Sequence, residues 1–262
     1  MHRAKQAVLV VVLAICGAAM PTEKAAASTE CMEPAGTNTV TATDGYASLT
    51  LSDGAEIRLA DIVPASAYGV DGSGWPALRA LFGRSFNVMN VPGKSDRYGR
   101  RWGDLVAEDT GESVLDTLLR QGLALVDPTV MSGHCVDALF AAEREAEAGG
   151  HGVWGTRGFV RSAGDEGLAD DAGRYALVEG VVVSVGETRN SVYLNFGETY
   201  SHDFTVLVRK GKTKDWVGSL KALSGQRVRV RGVLDAWNGG MILVEHDRQI
   251  ERRPARSAVP VR

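Results

Sequence analysis

Short runs of alternating apolar and polar residues follow one another in the first part of the chain. Residues 38–44, 46–53 and 56–63 read NTVTATD, YASLTLSD and EIRLADIV, and their alternation and β-branched content predict three strands. The Asp53-Gly54 pair between the last two runs is typical of a hairpin turn. This part therefore begins, on the pattern alone, as a small antiparallel sheet.

Helical spacing replaces the alternation after these strands. In GSGWPALRALFG, residues 72–83, apolar positions recur every three or four residues and Gly83 marks the end. Two more strands, SFNVMNV and RRWGDLVAE, precede two helices, ESVLDTLLRQG and CVDALFAAEREAEAG. Three strands, a helix, two strands and further helices predict a five-stranded oligonucleotide-binding (OB) barrel.

The same order of elements returns after residue 174. YALVEGVVVSVGETRNSVYLNFG predicts two strands, DFTVLVRKGKTK a third, and WVGSLKALSG a short helix. QRVRVRGVLDAWNGGMILVEHDRQIE predicts a closing hairpin with Asn238-Gly239-Gly240 as its turn. We expect a second, smaller OB-like β-barrel, so the predicted fold class is α+β and mainly β.

An acidic, glycine-rich segment, RSAGDEGLADDAG at residues 161–173, lacks apolar periodicity and predicts a linker. The expected domains are the first barrel at 28–160, the second at 174–252 and a tail at 253–262.

Charge divides the chain in the same place. Residues 28–173 hold 11 Lys and Arg against 22 Asp and Glu, whereas residues 174–262 hold 15 against 9. Because phosphate contacts dominate affinity for nucleic acids, a domain that grips them normally shows a basic face. The charge count therefore favours the second module over the first as a nucleic-acid binder.

Residues 1–27 have the pattern of a secretory signal peptide: basic MHRAKQ, then AVLVVVLAICGAAM, then small residues in EKAAASTE. The apolar run is shorter than the about 20 residues that a membrane span needs. We expect cleavage after Ala27 and a secreted or periplasmic protein without a membrane span. The alternatives are a lipid anchor on Cys16, an uncleaved anchor, or an apolar segment of another kind.

Removal of the signal leaves Cys31 and Cys135 of the three cysteines. An even pair in an oxidising compartment predicts one disulfide, and two unrelated thiols are the alternative. We expect no metal site there, because no histidine cluster accompanies the two cysteines.

A family resemblance rests on motifs in a fixed order. After DGYASLTLSDGAEIRLADIVPAS come Asp-Arg-Tyr-Gly-Arg at 96–100, Arg-Gln-Gly-Leu-Ala at 120–124 and Gly-Val-Trp-Gly at 152–155. Over residues 38–157 the chain resembles staphylococcal-nuclease-like (thermonuclease) domains. The phrase YLNFG…DFTVLV is similar to the tail domain that accompanies some exported proteobacterial thermonuclease homologues.

The resemblance implies calcium-assisted phosphodiester hydrolysis, with two Asp holding the ion, a Glu on the attacking water and two Arg on the phosphate. Metal and guanidinium groups neutralise the charge that develops on the phosphate oxygens. Both arginine positions are filled, by Arg58 and Arg100. The three acidic positions are occupied instead by Tyr46, Val63 and Ser66, or by Ala65 in place of Ser66 when the prolines are aligned.

Two other carboxylates stand near the lost positions. Asp44 and Asp61 each lie two residues from one of them, so on a strand they face the same side, displaced by about 7 Å. They are candidate substitute ligands for Ca²⁺. The alternatives are a turn cap for Asp44, a solvated strand residue for Asp61, an ion-paired surface residue for Arg58 and a loop-orienting residue for Arg100.

Arginines alternate along one strand of the second module. Arg227, Arg229 and Arg231 face one side, with the intervening valines toward the core. With Arg209, Lys210, Lys212 and Lys214 they predict a basic stripe, and nearby aromatics offer stacking faces for single-stranded nucleic acid: Tyr193, Phe196, Tyr200, Phe204 and Trp237. The alternative is a solvated basic face on an ordinary barrel.

Three functions remain open on the sequence. The first is a monomeric nuclease-like protein without catalysis that binds nucleic acid or another partner, with no cofactor and no metal. The second is an active nuclease that uses Ca²⁺ with substitute carboxylates. The third is a structural protein of the envelope.

Overall fold

Five strands close into a barrel in the computed structural model, which describes residues 27–43, 46–65, 76–198, 202–211 and 216–254. The elements of this part are β1 (Glu33–Thr43), β2 (Ser48–Leu51), β3 (Glu56–Leu59), β4 (Ile62–Pro64), α1 (Pro76–Arg79), β5 (Ser85–Ser95) and β6 (Arg101–Ala107). The barrel order is β1-β2-β3-β6-β5. Its neighbours pair antiparallel except β3 and β6, which run parallel with Arg58 beside Trp102.

The predicted strand at 56–63 is interrupted. Asp61 adopts a positive φ of 52°, a region that few non-glycine residues visit, and this bend separates β3 from β4. The hairpin turn was predicted correctly: Gly54 has φ 84°, and the Asp53 carboxylate accepts a hydrogen bond from the Ala55 N–H. The helix predicted at 72–83 spans only α1, and its first residues, Trp75 among them, lie outside the described part.

Two helices and a short strand complete the first module: α2 (Val114–Arg120), β7 (Ala124–Val126) and α3 (His134–Gly149). Strand β7, which the sequence did not predict, pairs antiparallel with β4. The N-cap Ser113 accepts a hydrogen bond from the Asp116 N–H at the start of α2, and Gly150 in left-handed conformation ends α3. Both helices bury aliphatic faces against the barrel core.

The predicted disulfide is present. Cys31 ends a 3-10 helix at Ala27–Cys31, and Cys135 lies in the first turn of α3, with a Cα–Cα distance of 6.2 Å. The bond joins residues 104 positions apart, and restriction of so long a loop in the unfolded chain contributes about 4–5 kcal/mol in the chain-entropy model.

The segment predicted as a linker is ordered. It contains β8 (Arg161–Ser162), which runs parallel to β9 (Tyr175–Val181), and a 3-10 helix at Leu168–Asp171. Leu168 is fully buried in the core of the second module. Ala163 also packs against this core. Two apolar contacts five residues apart give no periodicity in the sequence, so an ordered segment had the pattern of a linker.

The second module is a single sheet path. After β9 come β10 (Ser184–Glu187), β11 (Ser191–Asn195), β12 (Thr205–Arg209), β13 (Arg227–Asp235), β14 (Met241–Val244) and β15 (Ile250–Arg252). The order is β10-β11-β12-β14-β13-β9-β8, with β15 paired to β13. Strands β12 and β14 run parallel, and the predicted short helix is a 3-10 helix at Val217–Leu223.

The two modules share an apolar cluster. Ala65 and Leu125 of the first module are buried together with Tyr175 and Leu177 of the second, and Val63 packs against this cluster. Over the described residues, no helix has both the length and the apolar content required to span a membrane. The sheets hold most of the regular structure, so the chain is an α+β protein with few helices.

Candidate functional site

The positions that the resemblance assigns to acidic residues lie in different surroundings. Asp44 and Ser66 are outside the described residues. Tyr46 precedes β2 and is 56% exposed. Val63, in the middle of β4, is half-buried against the cluster shared by the two modules. An apolar side chain in apolar surroundings supplies none of the oxygen ligands that Ca²⁺ requires.

Asp61 does not take the place of a lost ligand. Its side chain is buried, and its carboxylate accepts hydrogen bonds from three consecutive backbone N–H groups, those of Thr129, Val130 and Met131, at 2.6–2.7 Å. Burial raises its pKa to about 6 despite these bonds. The sequence placed it on a strand facing the same side as Val63, and this was wrong because the positive φ at Asp61 turns the chain there.

Both arginine positions meet at one carboxylate. The Arg100 Nε donates to Asp96 Oδ2 at 2.7 Å, and an Arg58 terminal nitrogen lies 3.9 Å from the same oxygen. Burial favours the neutral acid at Asp96, but hydrogen bonds from the Arg100 side chain and from two backbone N–H groups lower its pKa below the usual value. Arg58 also stacks over Trp102. The two guanidinium groups are thus partly neutralised within the protein.

An exposed tyrosine lies beside this arginine pair. Tyr98 is 67% exposed, and the guanidinium groups of Arg97 and Arg100 lie 4.7 and 5.2 Å from its ring centre. Arg97 also donates a hydrogen bond to the Tyr98 hydroxyl. Arginines on a ring face hold it in place, so Tyr98 presents a fixed aromatic surface to solvent.

The three alternating arginines of β13 do not form a solvent-exposed stripe, which corrects the prediction. They face one side as expected, but that side lies against α3 of the first module. Arg231 is fully buried and Arg229 is 3% exposed. From residue 228 to residue 232, strand β13 is therefore buried on both faces, since Val228 and Val230 lie in the core of the second module.

Acidic residues of both modules neutralise these arginines. Arg231 donates to both carboxylate oxygens of Glu143, to Glu251 and to the Val126 carbonyl oxygen. Glu143 in turn accepts from the Val126 N–H at 2.8 Å. Buried partners of this kind raise the arginine pKa although desolvation opposes it.

Arg229 and Arg227 are paired in the same way. Arg229 donates to Glu147 of α3 and to Glu179 of β9, and Arg227 donates to Glu179 at 2.6 Å. Hydrogen bonds from these arginines lower the pKa values of Glu147 and Glu179 against the opposing effect of burial. The strand predicted to bind nucleic acid thus joins the two modules.

The sequence held one signal of this arrangement that the prediction did not use. Glu143 and Glu147 are four residues apart on α3, hence on one face of the helix, opposite three arginines on one strand face.

The remaining basic residues of the predicted stripe lie at another edge. Arg189, Arg209 and Lys210 line an open depression beside the turn between β10 and β11 and the end of β12. Exposed Lys221 is close to it, because Glu187 pairs with both Lys210 and Lys221. Lys212 and Lys214 lie outside the described residues, as does Tyr200. Phe204 is buried in the core and Phe196 packs against it, so neither offers a stacking face; Trp237 is 36% exposed.

Within the described part of the chain, one group of three potential metal ligands comes together: Cys31, His134 and Cys135. Both sulfurs are joined in the disulfide. Val63 and Asp61 do not fit Ca²⁺ either. Val63 is apolar, and the Asp61 carboxylate is hydrogen-bonded to backbone N–H groups.

No curated protein matches the chain. A family model described as staphylococcal nuclease homologue matches residues 75–156, less than half of the chain. The matched stretch includes α1, α2, α3 and the Arg100 position, and it ends before the second module begins. Residues 75–156 are therefore similar to staphylococcal nuclease homologues, which supports a staphylococcal-nuclease-like family for the first barrel.

Proposed function

We propose that this chain is an exported nuclease-like protein whose first barrel does not hydrolyse phosphodiester bonds and whose second module binds nucleic acid. Export is supported by the signal-like N-terminus and by the Cys31–Cys135 disulfide, a bond typical of oxidising compartments. The first barrel is similar to nucleases, but Tyr46, Val63 and Ser66 stand where the resemblance assigns acidic residues.

The surroundings of Val63 carry this proposal. An active relative would need a carboxylate there, next to a hydrated cation. Here the side chain packs against a cluster that the second module completes with Tyr175 and Leu177. The Tyr175 hydroxyl donates to the Val126 carbonyl oxygen at 2.8 Å, which holds this ring against the first module. The second module thus packs against the position of Val63, where the implied metal chemistry needs water and a carboxylate.

We further propose that the second module is an OB-like barrel. When β9 and β10 are counted as one bent strand, β12 and β14 are its third and fifth strands. These two run parallel, as β3 and β6 do in the first barrel. Strands β9 and β10 lie near opposite ends of the sheet path but are separated by two residues only. The Val182 N–H bonds to Gln226 and the Val183 N–H to Asn195, so one bent segment connects the two ends.

The basic edge, defined here as Arg189, Arg209, Lys210 and Lys221, is the proposed nucleic-acid contact. Glu187 pairs with two of its members, Lys210 and Lys221. Neutralisation of phosphates by such residues releases counterions, so binding must weaken as salt rises.

A digestion assay tests the catalytic part. The purified protein is incubated with single-stranded DNA in Ca²⁺, with and without chelator, and we expect no cleavage in either condition. Cleavage that requires Ca²⁺ and stops on chelation would instead identify an active nuclease.

Fluorescence anisotropy with a single-stranded oligonucleotide tests the binding part. We expect affinity to fall with salt, and the double variant Arg189→Gln/Arg209→Gln to reduce the slope of log K against log salt by about 1.5. The exposed pair Arg144→Gln/Arg157→Gln changes net charge equally elsewhere and should leave the slope unchanged. Absence of binding at low salt would favour the structural envelope protein.

A further inference from the structure

A polar cleft of about 520 Å³ lies where the two modules and the ordered segment between them meet. Glu147 at the end of α3, Glu179 on β9 and the side chains of Arg227, Arg229 and Arg253 line it, and Arg161 of β8 stands at its rim. Val160 and Val181 add two apolar contacts. The lining side chains come from five separate stretches of the chain, so the cleft exists only in the assembled molecule.

Positive charge exceeds negative charge in this cleft. Arg227, Arg229 and Arg253 surround two carboxylates, those of Glu147 and Glu179. Arg161 pairs with Asp165 and Asp171 outside the cleft, and Arg174 also pairs with Asp171. These two arginines and two aspartates sum to zero and do not change the balance. One guanidinium charge is therefore left over in a partly buried place, where electrostatic interactions are stronger than in water.

Hydrogen-bond donors are in excess as well. Arg229 is 3% exposed, and its three guanidinium nitrogens donate to the two glutamates. Arg227 contacts Glu179 through one terminal nitrogen, and Arg253 contacts Glu147 through one terminal nitrogen at 3.2 Å. A guanidinium carries five N–H donors in a planar fork that matches an oxyanion. Arg227 and Arg253 thus keep donors for a further acceptor, while Arg229 fixes the glutamates behind them.

We propose that this cleft is a binding site for a small oxyanion, a phosphate or carboxylate group, held by Arg227 and Arg253. The volume admits a group larger than inorganic phosphate, and an organic part of such a ligand would reach the two valines. The ligand connects residues of both modules and therefore stabilises their docking. This site is separate from the basic edge and does not depend on nucleic-acid binding.

Isothermal titration calorimetry of the full chain with inorganic phosphate, at constant ionic strength, tests the site. We expect saturable binding that raises the melting temperature in parallel. Arg253→Gln removes the surplus charge and three of five N–H donors, and its affinity should fall about tenfold or more, as expected for the loss of a charge-assisted hydrogen bond. The neighbouring Arg252→Gln has the same change of net charge but is exposed and lies outside the cleft, so it should bind as the parent does.

A variant with the opposite effect separates binding from mere folding. Glu147→Gln removes a competing carboxylate from the cleft, and phosphate affinity should rise several-fold even if the variant is less stable. A loss of binding caused only by structural damage would not produce this gain.

Two further titrations identify the chemical group. Succinate and a nucleoside monophosphate are compared with phosphate, and binding of either class supports the site and states which group it takes. The proposal is overturned if neither phosphate nor succinate binds at millimolar concentration. It is equally overturned if Arg252→Gln loses as much affinity as Arg253→Gln, or if Glu147→Gln gains none.

Discussion

Two carboxylates of the first barrel, Asp61 and Asp104, lie in the protein interior and are held by N–H and O–H donors instead of arginines. Asp104 on β6 is fully buried, accepts from the Ser113 hydroxyl at 2.5 Å and from the N–H groups of Leu105 and Leu115, and so fixes the start of α2. Burial raises the pKa of each to about 6. At the residue scale, these carboxylates hold nearby backbone in place through their hydrogen bonds.

The pKa of Asp104 predicts a pH dependence of stability. Because its pKa is about 6 in the folded protein and 3.8 ordinarily, the native state takes up a proton that the unfolded chain does not. This contribution is fully present below pH 3.8 and is lost as the pH rises through 6, so stability should increase from pH 7 to pH 5. Asp104→Asn, which keeps the acceptor oxygen, should remove about 1 kcal/mol of that increase in urea unfolding.

The pH-dependent stability that Asp104 contributes requires a buried carboxylate, and an exposed aspartate serves as the matched control. Asp53→Asn changes an exposed carboxylate in a turn and should leave the pH dependence as it is. An unchanged pH dependence in Asp104→Asn would show that Asp104 is ionised throughout this range.

Val63 gives a second prediction at this scale. A carboxylate at this position would face an apolar cluster, so Val63→Asp should lower the free energy of unfolding by about 2–4 kcal/mol. Tyr46→Asp, at an exposed position, should change it by about 0.5 kcal/mol or less.

The triple variant Tyr46→Asp/Val63→Asp/Ser66→Glu should gain no nuclease activity, and measurable Ca²⁺-dependent cleavage by it would contradict our placement of Val63.

At the scale of elements, strand β13 is the one whose role changed most between sequence and structure. Its alternation of arginine and valine predicted one solvated and one buried face. Both faces are buried, because α3 of the first module supplies carboxylates that pair with the arginines. Alternation defines which residues share a face, but it does not say whether that face meets water or a second module.

Removal of the buried arginine should be severe. Arg231→Met leaves Glu143 buried without its partner, and such losses typically destabilise by about 3–5 kcal/mol. Arg231→Met/Glu143→Gln removes the stranded charge while the amide oxygen still accepts from Val126, so it should recover part of the loss. Equilibrium unfolding in urea measures both, and equal stability of the single and double variants would contradict a charge-based cost.

At the scale of the whole molecule, the two modules have separate cores and a common cluster between them. The shared cluster, the Arg231–Glu143 pair and the Tyr175 hydroxyl all cross the boundary. Coupling of this kind makes two modules unfold as one unit if it exceeds the difference between their stabilities.

Calorimetry tests this coupling. We expect a single cooperative transition for the parent protein. Leu177→Ala should cost about 2–5 kcal/mol and separate the transition into two, because Leu177 is buried in the shared cluster. Val192→Ala, in the core of the second module only, should lower the transition without splitting it. Two transitions in the parent would show that the interface does not couple the modules.

The sequence by itself determined the local elements and which residues occupy the positions that the resemblance assigns to acids. Alternation, helical spacing and turn residues located most strands and helices, the cysteine pair predicted the disulfide, and residue identity alone placed Tyr46 and Val63 at positions where the resemblance requires acids. These features depend on neighbours in sequence or on the residue itself. The surroundings of each charge, in contrast, were decided by contacts between distant segments. Asp61 is buried and bonded to the backbone of a distant loop, and Arg231 lies at the interface between the modules. The segment predicted as a linker contributes Leu168 to the second core. These outcomes depend on which surfaces meet, because contact between surfaces decides desolvation and pairing.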